Sequence, residues 1–555
     1  MEGTTYEIKN IDHLGIVSSF CDEIDLVGQI DRAVASDKKR KVSVGQGIKA
    51  LVLNGMGYTT RTLYLSHVFF KDKPVELLLG AGLRYEDLND DCLASCLDAV
   101  YEYGVTKLFM EISFSALRQF DIDSLIKHLD STTLSVSGER QEEAGVVNIV
   151  RGYNKQGQHD LNQVVLQIVT NNDGGLPLFM QVHDGNEVDK KGFKKVINEY
   201  KELLKEHKEA TSNALDLWVM DNAIYTKENI KDLGSLLWLT RAGHNLLWVK
   251  TLYETGSKGV WQSVEGHEGY KYQVGKTNWG GVQQGALVIW TEKKERKDLA
   301  KLEKKIATKE LSEQKALNQL QKQSYDKASA ALKASKTFSD QSLYHSLDHV
   351  EILSKDHYKP GRRAANAQAI NTTYSIQTQL VLDEKKVEKA KSKAGKFVLV
   401  SNEINKSNWS KAPSSALFKR PVAELLSLYK NDQQKPERFF RFLKDPLFSL
   451  SQIFLKLPRR IIALCMVMCL SLLIYTLAER QLRQSLRSTN DTLPNQLGKE
   501  VSNPTMRWIF QQFQGIHILY IRTGDQVQKI VTGLTALHQK ILAMLGNTVL
   551  SMYQA

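Results

Sequence analysis

The sequence predicts a mixed α/β protein with a helical segment before its sheet and a large insertion within it. Three observations predict this. β-branched, alternating runs begin near residue 122 and precede an amphipathic helix. Strand and helix patterns then alternate up to residue 244. From 245 to about 395 a turn-rich, tryptophan-bearing and then highly charged stretch interrupts the alternation, before the strand GKFVLVSN resumes it.

Residues 1–120 read as a helical N-terminal domain that could hold DNA or a second subunit. VSVGQGIKALVLNGMG has Ser43 as a cap, and DDCLASCLDAVYEYG sets Cys92, Leu93, Cys96, Leu97 and Val100 at helical spacing behind Asp90 or Asp91 as cap. In 121–244 the runs IKHLDSTTLSVSGE, DLNQVVLQIVTNN and GLPLFMQVHDGN alternate as strands. EVDKKGFKKVINEYKELLKEH follows as a helix, then the strand LDLWVMDNA, a short helix around YTKENIKDLG and the strand LLWLTRAG. The insertion, 245–402, is expected to open with a β segment holding Trp248, Trp261, Trp279 and Trp290. A charged helix or helical hairpin over about 292–335 comes next. Residues 403–490 read as the second part of the sheet domain, and 491–555 as a helical tail.

At 555 residues the chain is long enough for several cores, and 74 basic against 62 acidic residues give a net charge of +12, which favours a polyanionic partner. Five cysteines without CxxC spacing speak against a disulfide frame or zinc finger and for a reducing compartment. The run IIALCMVMCLSLLIYTLA, residues 461–478, is at the lower limit of a membrane span; a fully buried helix produces the same pattern.

Asp130 and Asp221 stand at the centres of otherwise apolar or hydroxylic strands, where an ionised carboxylate needs a compensating partner. Either one alone reads first as a turn cap, Asp221 for the helix near Thr226. Brought side by side, two acids need cations between them. In KPERFFRFLKDP, Glu437, Arg441 and Lys444 share one helical face, so Glu437 is the candidate third acid. Three hard oxygen ligands favour two Mg²⁺ or Mn²⁺ ions over zinc. Such a pair of ions suits phosphodiester displacement.

With Asp130, Asp221 and Glu437 in this order, the sequence resembles the ribonuclease-H-like catalytic core of DDE transposases from bacterial insertion sequences. It is most similar to the IS-four superfamily, whose β-rich insertion separates the second aspartate from the glutamate. That branch carries a Tyr-Arg-Glu-Lys signature with six residues between Glu and Lys, the spacing of Glu437 and Lys444. The Arg position holds Gln433, and the Tyr position holds Lys430 with Tyr429 beside it. HLDSTTLSVSGE, RGYNKQGQHDLNQ, WVMDNAIYT, LTRAG and FRFLKDP also look like the family. The resemblance implies metal-dependent cleavage at transposon ends and strand transfer of the cut-and-paste type. Asp130, Asp221 and Glu437 would be catalytic metal ligands, and Lys444, Arg441 and Tyr429 would contact DNA. It further implies inverted-repeat ends and target DNA as partners, a homodimer in the synaptic complex, no membrane, and a cytoplasmic, nucleoid-associated bacterial location. The alternatives are a catalytically inactive DNA-binding relative and a single-span membrane-anchored protein.

Lesser signals are His345, His349 and His357, which on a helix would approach zinc-site spacing; His183 and Asp184, read as turn chemistry; and Arg362 and Arg363 in GRRAAN, read as a basic loop.

Overall fold

The computed structural model describes residues 4–34, 40–58, 65–136, 138, 143–152, 160–187, 189–206, 216–234, 236–256, 260–358, 368–432, 455–524 and 526–554. Its contacts divide the chain into two units, Met1–Thr240 with Trp279–Val282 and Glu424–Ala555, and Arg241–Asn278 with Gln283–Ala423.

The first unit begins with strand β1 (Thr5–Asn10) and the helices α1 (Leu14–Glu23), α2 (Leu26–Ala33), α3 (Val44–Met56), α4 (Ser66–Phe70), α5 (Val75–Leu79), α6 (Asp90–Tyr103) and α7 (Val105–Gln119). Ser43 starts α3 as expected, in a capping box with Gln46. The cap of α6 is Asn89, whose Oδ1 accepts the Cys92 N–H at 2.9 Å, and not Asp90 or Asp91, which occupy the first turn and favour its positive end. Gly104 adopts φ 108°, a conformation open to glycine, so α7 departs where α6 stops.

The sheet consists of β2 (Ile126–Val136), the two-residue β3 (Val150–Arg151), β4 (Asn162–Asn171) and β5 (Pro177–His183), then α8 (Asp189–Glu206), β6 (Leu217–Met220), α9 (Lys227–Asp232) and β7 (Leu237–Ala242). β2 pairs antiparallel with β4, which pairs antiparallel with β5; on its other side β2 runs parallel to β6, and β6 to β7. The strand order is therefore β5-β4-β2-β6-β7, with β3 extending the β5 edge of β4. α7 and α8 pack on this sheet.

In the second unit, α10 (Leu247–Gly256) carries Trp248 on a helix where a β segment was expected. β8 (Gln262–Ser263), β9 (Tyr270–Trp279) and β10 (Val282–Thr291) follow, then a helical pair, α11 (Glu292–Gln321) and α12 (Ala328–Gln341). The ribbon of β11 (His345–His357) and β12 (Asn371–Leu382), α13 (Glu384–Lys391) and β13 (Lys396–Ser401) complete it. His345 lies on β11 and His349 in its bulge between Asp348 and Glu351, not on a helix. Nδ1 of His345 is 2.7 Å from Glu313.

After α14 (Val422–Ser427), the first unit continues with α15 (Pro458–Ser488), the short strands β14 (Leu493–Pro494) and β15 (Glu500–Val501), α16 (Met506–Gln512), β16 (His517–Thr523), β17 (Gln526–Thr532), α17 (Ala536–Leu545) and α18 (Asn547–Met552). Residues 491–555 are thus not wholly helical. β16 lies between β17 and β1, pairing Thr5 with Arg522, and this joins the two ends of the chain. The expected apolar run, 461–478, begins three residues into α15 and fills most of its first two-thirds. Its most apolar window, of mean hydropathy 2.6, is 89% buried inside the protein. Helices α1, α3, α6, α7, α16 and α17 and strand β5 supply the cover. Asp98 of α6 fixes the start of α15 through Arg459 (3.0 Å) and Arg460 (2.7 Å), and Glu143 accepts the Arg459 N–H at 3.0 Å. Burial opposes ionisation of Asp98, but the two guanidinium groups outweigh it and hold its carboxyl below the usual range.

Candidate active site

The β2–β6 register runs from Ile126 beside Leu217 to Leu129 beside Met220. The next row holds Asp130 and Asp221. Asp221 keeps extended backbone (φ −68°, ψ 163°), so it continues the β6 row by one residue. Neighbouring strands lie about 4.8 Å apart, and residues in one row of a parallel pair face the same side. Both aspartates are partly exposed. Asp221 follows the carboxyl end of β6 and Asp130 lies midway along β2, where the parallel pairing of the two strands ends, next to the point where the sheet changes direction between β4 and β6. That position is where open α/β sheets hold their ligands.

Local bonds aim each carboxylate. The Ser131 N–H donates to Asp130 Oδ1 at 2.7 Å, and the Asn222 N–H to Asp221 Oδ1 at 2.6 Å. Asp221 therefore caps the 3₁₀ turn Asn222–Ile224, whereas α9 is capped by Thr226, whose Oγ1 accepts the Asn229 N–H at 3.2 Å. Thr240 of β7 donates its hydroxyl to the Asp221 carbonyl at 3.0 Å, which fixes the backbone under the second acid. Beyond the turn, Tyr225 stacks on Trp279 with ring centres 6.3 Å apart, and the Lys227 ammonium lies 4.9 Å from the Trp279 ring centre. The sequence reading missed Thr240 and Lys227, and left Trp279 undistinguished among four tryptophans.

The opposite end of the same strands carries a different pair. Lys127 Nζ meets Asp216 Oδ2 at 2.5 Å, both side chains buried. Burial lowers the lysine pKa and raises that of the aspartate, each opposed by the partner's charge. This pair neutralises itself, whereas two acids in one row repel. A divalent cation between Asp130 and Asp221 would relieve that repulsion, and carboxylate oxygens suit Mg²⁺ or Mn²⁺. Among the described residues no three metal-binding side chains converge.

Glu437, Arg441 and Lys444 lie outside the described residues, as do Gln433, Arg362 and Arg363. Tyr429 is half-buried on the π-helical turn Leu428–Asp432. Asp184 accepts the Asn148 N–H at 2.8 Å, and the Gly185 N–H returns to the Asn148 carbonyl at 3.0 Å, so this stretch is turn chemistry. Burial lowers the His183 pKa, which favours a neutral imidazole.

A first strand flanked by an antiparallel second and a parallel fourth, with helices packed on the sheet, is a ribonuclease-H-like core, the scaffold of enzymes that cut or join nucleic-acid phosphodiesters. The chain belongs to the Transposase DDE domain family, whose profile matches residues 123–474. Residues 6–114 match a domain of unknown function (DUF4277). The structure is similar, with a TM-score of 0.37 and 10% identity, to a chain of the piggyBac transposase synaptic complex with hairpin DNA, solved by cryo-EM; the likeness covers 92% of this chain and 82% of that one. No curated protein matches the sequence. The protein is a DNA transposase of a family that catalyses DNA cleavage and strand transfer with divalent metal ions.

Proposed function

We propose that this transposase serves a bacterial insertion sequence of the IS-four superfamily, cutting at the inverted-repeat ends of its element and joining them to target DNA. The observation that supports the assignment of its centre is the row of Asp130 and Asp221, one step beyond the paired Leu129 and Met220. With Glu437 as third ligand, these acids hold two Mg²⁺ or Mn²⁺ ions. Bound there, the ions would activate a water molecule and stabilise the leaving oxygen. The rest of the site positions DNA: Thr240 anchors the Asp221 backbone, and Lys444, Arg441 and Tyr429 contact phosphates flanking the cut. Synapsis of two ends calls for a homodimer. The chain works in the cytoplasm on the nucleoid, with α15 buried in protein instead of a bilayer.

The test is end-bearing duplex with Mn²⁺ and purified protein. Asp130→Asn should lower nicking by more than ~100-fold, because removing a ligand exceeds the usual cost of disturbing its supports. End binding should stay within about threefold, since it draws on basic contacts. Nicking retained by Asp130→Asn rejects the site. End binding by the wild type without any nicking favours the inactive relative, a reading motivated by Gln433 at the signature's Arg position. Retention in membranes after a carbonate wash favours the anchored protein.

A further inference from the structure

Helix α11 sorts its charges by face. At about 100° per residue, Lys293, Lys297, Lys301, Lys304 and Lys315 fall in a sector of about 80°, and all five are exposed. The six acids of the helix fall in the sector from about 140° to 280°, measured from Lys293. Leu299, Leu302, Ile306, Leu317 and Leu320 share that side at about 180–240°.

The acids have structural work there. Glu295 accepts from Trp290 Nε1 at 3.0 Å, Asp298 from the Gly395 N–H at 3.1 Å, and Glu313 from the Leu343 N–H at 3.0 Å. Of the other four cations, Lys294 is taken by Asp298 and Arg296 by Glu292, Lys305 widens the basic side to about 120°, and Lys309, at about 160°, is the one that sits among the acids. None of the stripe lysines has such a partner among the described residues. An ordinary solvated helix mixes its signs and pairs them at i,i+4. This one leaves a one-signed ridge facing outward.

We propose that the lysine face of α11 is a docking surface for the phosphate backbone of double-stranded DNA, an inference that rests on the transposase reading for its supply of DNA. From Lys293 to Lys315 the ridge runs for about 33 Å, at 1.5 Å per residue. That is close to one helical turn of B-DNA, about 34 Å. Lysines act as point charges on phosphates and carry no base readout, so the contact is independent of sequence. An anionic membrane is the poorer partner, because interfacial helices set apolar side chains beside their cations. Here only Leu311 lies in the lysine sector, and the other apolar residues turn the opposite way.

The experiment measures binding of the full-length chain to a random-sequence duplex of about 40 base pairs, lacking any end sequence, across a salt series. Each phosphate neutralised contributes about 0.9 to the slope of log affinity against log salt. Replacing Lys293, Lys297, Lys301 and Lys304 by Gln should reduce that slope by about 2 to 4 and lower affinity at 0.1 M salt at least tenfold. A control of equal charge change, Gln at the exposed Lys327, Lys333, Lys336 and Lys385 of the same unit, should leave the slope within about 1. An unchanged slope in the stripe variant, with its thermal midpoint preserved, overturns the proposal. So does an equal loss in the control, or a stripe variant that loses binding to phosphatidylserine vesicles while holding duplex as before. No cleavage enters the readout, so it stands or falls apart from the nicking test.

Discussion

Two helices of nearly equal length show how composition decides the fate of a long helix. α15 has 31 residues and α11 has 30. Between 461 and 478 α15 is apolar on every side, and neighbours from both ends of the chain enclose it; Cys465, Met466, Val467, Met468, Cys469 and Leu470 are all fully buried in succession. α11 has one fully buried side chain, Leu317. It stays in place through a narrow apolar seam and three acids that reach back to main-chain and ring N–H groups. The apolar part of the first helix is a structural centre enclosed by the protein's own elements. The second is a surface whose outward face is free to meet a partner.

The strongest way to break this contrast is to place a charge in the enclosed helix. Leu470→Asp puts a carboxylate where no water reaches, and the expected loss is at least ~5 kcal/mol, enough to prevent folded protein from accumulating. The milder Leu470→Ala should cost about 2–5 kcal/mol in a denaturant titration. A value near zero would mean that the enclosure of α15 is not what holds the first unit together.

A smaller effect sharpens it from the shell of α15. His13 is buried, with Nε2 2.7 Å from the Met56 carbonyl and its ring stacked on Phe510 of α16 at 4.6 Å. Burial is the main cause that lowers its pKa to about 4, against an ordinary value of 6.5. Between these values the unfolded chain binds a proton that the folded chain refuses. Stability therefore falls as pH drops from about 6.5 to about 4, by on the order of 3 kcal/mol, and is flat with respect to this group above that window. The difference between wild type and His13→Gln across the same pH series isolates it. Parallel pH curves for the two proteins would contradict the assignment.

How much of this was legible depended on the reach of each interaction along the chain. The alternating runs of β2, β4, β5, β6 and β7 announce themselves, because a period of two is local. That Asp130 and Asp221 share a row was not readable from either strand; it depends on which strands pair, and only the family resemblance supplied the connection. Lys127 and Asp216 meet across 89 positions and gave no local sign. β1 escaped for the same reason. TYEIKN alternates, but it is six residues long and its partner β16 is some 500 residues further on. At α6 three consecutive residues, Asn89, Asp90 and Asp91, all suit a helix start, and only the backbone distinguishes the cap from the first turn.

The smallest expected effect is the most informative about α11. Lys301 is exposed, has no ion-pair partner among the described residues and touches none of the acids that hold the helix. Lys301→Gln should therefore change stability by less than about 0.5 kcal/mol, since Gln and Lys have similar helix propensity and no contact is lost. The same logic gives a sign for the converse. If neighbouring lysines on the ridge repel one another in the free protein, neutralising one relieves that repulsion, by about 0.2–0.5 kcal/mol for an i,i+4 pair such as Lys297 and Lys301. A slight stabilisation that disappears at high salt would show a ridge under electrostatic tension, as a surface kept for a polyanion should be. A loss above 1 kcal/mol would show instead that the lysine supports the fold, and the contrast with α15 would then rest on apolar burial alone.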